Sequence, residues 1–168
     1  MYGLPKVHKI GCPIRPILSA LNTFNYNVAK WFVPILEPLT KNAFTVINST
    51  QFVKEINNIN IPQSSFLASF DVKSLFTNIP LVETVNLCVD LGERENLIPH
   101  DLTVSQFKAL LDVAVKESVF IFNNKLYKQI DGVAMGSPLG PTLANVFLCY
   151  YEKIWLDSCP VEFKHIMY

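Results

Sequence analysis

The sequence predicts an α+β fold, and three observations carry that prediction. The chain has 168 residues, half of them hydrophobic and 17% charged, which is globular composition with enough length for a substantial core. Its apolar spacing switches several times between a period of two and a period near 3.6, the marks of strand and helix. The resulting order is ribbon, helix, strand, helices, hairpin, helix, strand. Regular strand–helix–strand alternation is missing, so a doubly wound parallel sheet is not expected.

Residues 1–20 read as extended, because Pro5, Pro13 and Pro16 oppose a helix and Gly11 suits a turn. LPKVHKIGCPIRPIL is expected to form a two-stranded ribbon with KIGC near its tip. From Thr23 the spacing of Tyr26, Ala29, Lys30, Val33 and Leu36 predicts a helix that Pro34 kinks and Pro38 ends. Residues 40–60 read as a connector with a short helix. SSFLASFDV is expected to be a strand, with Phe66, Ala68 and Phe70 on one face and Leu67, Ser69 and Asp71 on the other. Pro80 suits a first helical turn, followed by the stripe Leu81, Val85, Cys88 and Val89. Thr103 and Gln106 have capping-box spacing, Leu102 and Phe107 fit a hydrophobic staple, and Phe107, Leu110, Leu111, Ala114 and Val115 form a buried face. VFIFNNKLYKQI reads as a hairpin turning at Asn123-Asn124. A glycine- and proline-rich loop then feeds a helix with a stripe of Leu143, Phe147, Tyr150 and Ile154, and EFKHIMY looks like the start of another strand.

Formal net charge is zero, but Lys6, Lys9, Arg15 and Lys30 all precede the first acid, Glu37. The first 36 residues carry +4 and the remainder −4. Such a basic end suits phosphate binding and equally suits a solvated surface. Cys12, Cys88, Cys149 and Cys159 are far apart with no CxxC pair, so neither a zinc site nor a disulfide framework is indicated, and a reduced intracellular protein fits best. MYGLPKVHK is basic and proline-punctuated, unlike a signal peptide. No apolar run approaches the roughly 18 residues of a membrane span, so no membrane partner is expected.

Asp71, closing an apolar stretch, is a cap, a salt-bridge partner or a working group on its own evidence. Three segments bear on that choice: YGLPKVHKIGCPIRPILS, FDVKSLFTNIPL and GVAMGSPLGPTLAN. Together, in this order and spacing, they resemble the reverse transcriptase domain of Penelope-like retroelements. The resemblance covers essentially the whole chain. The AMGS wording and the LFTNIP run argue against the group II intron class.

The resemblance implies a right-hand polymerase with an incomplete antiparallel palm sheet and packed helices. Residues 1–22 would be the fingers ribbon, 23–80 palm with the first catalytic strand, 81–131 a fingers insertion, and 132–168 the palm helix and a truncated strand. It implies RNA template, DNA primer and deoxynucleoside triphosphates as partners, and two Mg2+ (or Mn2+) ions as cofactors in the complete enzyme. Residence in nucleus or cytoplasm would follow from what retroelements do. Asp71 matches the family's catalytic aspartate and metal ligand, joined by the Val72 backbone carbonyl. Hard divalent cations favour such oxygen ligands. Phe76 would lie under the incoming sugar and exclude a 2′-hydroxyl, or serve simply as core. Arg15 would contact the triphosphate through its charge and flat, multi-donor head, with Lys6 a weaker match. Met135 and Gly136 would touch the nucleotide, and Gly132, Ser137 and Pro138 the template and primer. Two departures stand out: Met135 where many relatives carry glutamine, and Gly140 where serine is common. The resemblance also demands a Tyr-x-Asp-Asp hairpin, yet no two aspartates are adjacent here. Thumb and nuclease segments are not recognisable either. The chain is therefore expected to be a fragment, inactive alone, completed by a C-terminal part of the same polyprotein.

Overall fold

A computed structural model describes residues 1–116 and 118–160. The architecture is α+β, with six α-helices and two separate two-stranded antiparallel sheets among the described residues. The ribbon comes first. β1 (Tyr2–Pro5) pairs with β2 (Ile14–Ile17), placing Tyr2 opposite Ile17 and Leu4 opposite Arg15. Gly11, at φ +78°, and Cys12, at φ +43°, turn the chain back, and the Lys6 N–H donates to the Pro13 carbonyl at 2.9 Å.

α1 (Tyr26–Leu36) contains Pro34 and gives way at Glu37 to a 3-10 turn, Glu37–Thr40, which holds Pro38 in its first positions. α2 (Ser49–Asn57) is capped by the Asn48 side chain, which accepts from the Gln51 N–H at 2.9 Å. α3 (Leu75–Asn78) is a single turn, and α4 (Leu81–Arg94) buries Leu81, Val85, Cys88 and Val89, the predicted stripe. Pro80 is the cap of α4 and stands one position before the helical turn expected for it.

α5 (Val104–Lys116) opens on the predicted capping box. The Gln106 carboxamide accepts from the Thr103 N–H at 2.9 Å, and the Thr103 hydroxyl accepts from the Gln106 N–H at 3.2 Å. Phe107, Leu111, Ala114 and Val115 are buried, and Leu110 is half-buried. β3 (Val119–Phe122) and β4 (Lys125–Lys128) form the expected hairpin, with Asn123 at φ +48° and Asn124 at φ +57°. Two consecutive residues of positive φ make a type I′ turn, whose twist matches the strands. α6 (Gly140–Asp157) buries Thr142, Leu143, Ala144 and Val146, while Phe147 and Tyr150 are half-buried and Ile154 is exposed. The buried stripe of α6 is therefore confined to its first two turns.

One core holds these helices together. α4 packs on α5, α5 on α1, and α6 on both α4 and the 3-10 turn. Phe32 and Phe107, both fully buried, meet edge to face with ring centres 5.1 Å apart.

The expected strand over SSFLASFDV is not formed. Residues 66–72 are irregular and exposed, with Phe66 at 89%, Leu67 at 92% and Phe70 at 92% exposure. Alternation supplies two faces, but a strand also needs a neighbour for its N–H and C=O groups. No described segment pairs with this one, so no palm-like central sheet exists among the described residues. The expected strand EFKHIMY lies outside the described residues.

Candidate functional site

The segment between β4 and α6 is where the quoted motifs meet. Its entry is fixed by the Gln129 N–H, which donates to the Ser118 carbonyl at 2.9 Å. The Gln129 side chain donates to the Asp131 carbonyl at 2.9 Å, and the Asp131 carboxylate accepts from the Gly132 N–H at 2.8 Å. These bonds set up a turn that Gly132 completes at φ +71°. A Cβ at Gly132 would lie 2.7 Å from the Phe76 carbonyl oxygen and 2.8 Å from Thr77 Cα. Only glycine satisfies both the conformation and the contact. The next residue, Val133, donates its N–H to that same Phe76 carbonyl at 2.7 Å.

Further on, the loop meets the ribbon. The Leu18 N–H donates to the Met135 carbonyl at 2.8 Å. Gly136, at φ +125°, lies so close to Leu18 that a Cβ would collide with its carbonyl oxygen. The Ser137 N–H then donates to the Ala134 carbonyl at 3.1 Å and the Gly140 N–H to the Ser137 carbonyl at 3.2 Å, winding the chain into α6, whose first turn contains Pro141. Pro138 is half-buried between them. Leu18, Asn25, Ala134, Ser137 and Pro138 share the wall of a cavity of about 30 Å³, room for a water molecule and no larger ligand.

Phe76, Gly132, Met135, Gly136, Ser137 and Pro138 thus belong to one neighbourhood. Phe76 is half-buried against the core, and its ring edge comes within 3.6 Å of the place a Gly140 Cβ would occupy. Glycine at position 140 therefore gives the ring no side-chain contact from α6 at that point.

Arg15 is exposed on β2 and makes no ion pair among the described residues, and Lys6 is half-buried on the turn side of β1. Neither touches the loop through a side-chain hydrogen bond. Leu18, directly after β2, is where the ribbon meets the loop. Asp71 and Val72 are exposed, and the Asp71 carboxylate has no hydrogen bond or ion pair among the described residues. Among the described residues Asp71 is therefore neither a cap nor a salt-bridge partner. Ser74, at φ +54°, makes a left-handed corner between Asp71 and Phe76.

A carboxylate with no partner suits one position around a hard divalent ion. The described residues contain no group of three or more His, Cys, Asp or Glu side chains that could hold a metal. Asp71 and the Val72 carbonyl can supply part of a ligand set and do not complete one.

Sequence reasoning missed Leu18, Gln129 and Asp131. Asp131-Gly132 carried a usable signal, since Asp before Gly favours a turn in which the side chain caps a nearby N–H. Leu18 carried none, because it acts through its backbone. No helix among the described residues is long and apolar enough to cross a membrane. No protein-family model matches the chain, and no curated protein matches it.

Proposed function

We propose that the chain is the fingers and part of the palm of an RNA-directed DNA polymerase, related to Penelope-like reverse transcriptases. One observation supports this reading above the others. The three segments that carry the resemblance are far apart in sequence, and one glycine loop touches both of the others, at Leu18 and at Phe76–Thr77.

In this reading the unpaired Arg15 guanidinium binds the triphosphate, the Phe76 ring lies beneath the deoxyribose, and the loop at Met135–Pro138 borders nucleotide and template. Asp71 and Val72 are part of the site for Mg2+ or Mn2+, which when bound supplies charge neutralisation at the triphosphate and activation of the primer hydroxyl. Asp71 offers one carboxylate and the sequence has no adjacent pair of aspartates. That observation favours a second reading for these residues alone: binding of RNA or template–primer without chemistry.

The test is titration of a labelled DNA primer annealed to an RNA template, read by fluorescence anisotropy at increasing salt. Binding that weakens steeply with salt is expected, because phosphate contacts release counterions. Arg15→Ala is expected to weaken it by about tenfold, the scale of one charge-assisted contact. Absence of binding at low salt would overturn both readings. Primer extension by the chain, abolished in Asp71→Ala, would show that these residues suffice for catalysis and remove the second reading. The reading frame past Tyr168 bears on the same point, and a Tyr-x-Asp-Asp segment there would supply the remaining carboxylates.

A further inference from the structure

The ribbon projects from the molecule, with every residue of β1 exposed and only Ile17 of β2 half-buried. Its strands pack broadly on no other described helix or strand. The Met1 ammonium donates to the Ile121 carbonyl at 3.3 Å on the exposed surface. The other hydrogen bond that holds the ribbon to the body among the described residues is at its base, where the Leu18 N–H bonds to Met135 and Leu18 lies against Gly136. The loop in turn grips α3 through the Val133 N–H and the bare face of Gly132.

We infer that the ribbon and the glycine loop are one mechanical unit, latched at Leu18 and Gly136, and that a load taken up by the ribbon is passed through the loop to the turn carrying Phe76. The physical basis is close backbone contact at two glycines. A hydrogen bond alone would let the ribbon swing about it. Backbone seated against a glycine's bare face leaves little slack, since the Leu18 carbonyl already fills the place of a Gly136 Cβ and the Phe76 carbonyl that of a Gly132 Cβ. Both glycines hold conformations that side chains resist, so both contacts are sensitive to a single methyl group. The latch itself rests on geometry alone. Only the identity of the load, a phosphate-bearing ligand at Arg15, rests on the function proposed above.

Hydrogen–deuterium exchange read by mass spectrometry tests the latch without any ligand. In Gly136→Ala, exchange is expected to rise by about tenfold or more in residues 2–17 and 132–137 together, while α4 and α5 keep their protection. Gly11→Ala strains the ribbon's tip, where a Cβ meets nothing, and is expected to raise exchange in the ribbon only. A rise confined to 132–137 in Gly136→Ala, with the ribbon unchanged, would overturn the inference. If Gly136→Ala costs α4 and α5 their protection, Leu18→Pro replaces it. That variant removes the N–H donor and faces the same two outcomes. A second arm adds inorganic tripolyphosphate. Protection of the ribbon accompanied by protection of 132–137 in the wild type, but not in the latch variant, supports transmission. Protection of the ribbon alone in the wild type counts against it. Failure of tripolyphosphate to bind counts against the phosphate role of Arg15, and the ligand-free arm still decides the latch.

Discussion

Gly132 is held where its φ is +71° and the carbonyl of Phe76 occupies the space a methyl group would need. Gly132→Ala is therefore expected to lose stability by about 1–3 kcal/mol, measured as a lower urea midpoint, from strained backbone and displaced contact. Cys88 makes a pH-dependent prediction. Burial pushes its thiol from 9.0 up to about 12, so it stays neutral in the fold while the unfolded chain ionises from pH 9 upward. The unfolded state then holds fewer protons, and stability must fall as pH rises from 9 towards 12. Urea midpoints across that range should show the fall in the wild type and a shallower one in Cys88→Ala. Below pH 9 the native protein should react with a thiol reagent at exposed Cys12 and spare buried Cys88.

Elements were legible where their signals are local. The capping box at Thr103 and Gln106, the Asn123-Asn124 turn and the stripe of α4 each need only a few neighbouring residues, and each is present as read. Thr103→Ala is expected to cost about 1 kcal/mol, because the Gln106 N–H then loses its acceptor. It should be visible as a lower midpoint with an unchanged denaturant slope. SSFLASFDV was misread for the converse reason. Alternation says which faces a strand would have and nothing about whether another strand lies beside it. The helix read from Leu143, Phe147, Tyr150 and Ile154 is formed through Asp157, but its stripe grades from fully buried at Leu143 to half-buried at Phe147 and Tyr150 and exposed at Ile154, a gradient that helical spacing does not report. In the candidate site, the glycines and prolines of GVAMGSPLGP could be found because backbone geometry restricts those positions to few residue types. Leu18 could not, because any residue but proline supplies an N–H.

At the scale of the molecule, two kinds of surface stand apart. The helical core is dense around Phe32 and Phe107, and Phe32→Ala is expected to cost about 3–5 kcal/mol, the usual range for an emptied aromatic site. Residues 66–72, by contrast, expose two phenylalanines and a leucine in an uncharged stretch that ends at Asp71. Such an exposed apolar segment favours self-association. Phe70→Lys is expected to reduce light scattering at high concentration and to leave the urea midpoint within about 0.5 kcal/mol, since Phe70 packs on nothing. The contact between Leu18 and Met135 also joins a separable part of the molecule to its core. The two residues come from nearly opposite ends of the chain, whereas α4 and α5 are neighbours in sequence and pack directly. The helical core already spans a similar separation in sequence, since α6 packs on the 3-10 turn and on α1, so a formed core brings Leu18 and Met135 near each other and leaves the ribbon only a short closure. Because the ribbon buries little surface of its own, it is expected to gain protection no earlier than α4 and α5 in pulse-labelled hydrogen exchange during refolding. A chain with its core complete and its ribbon undocked would keep the loop against Phe76 and lose the contact at Leu18, so the two halves of the candidate site can be separated.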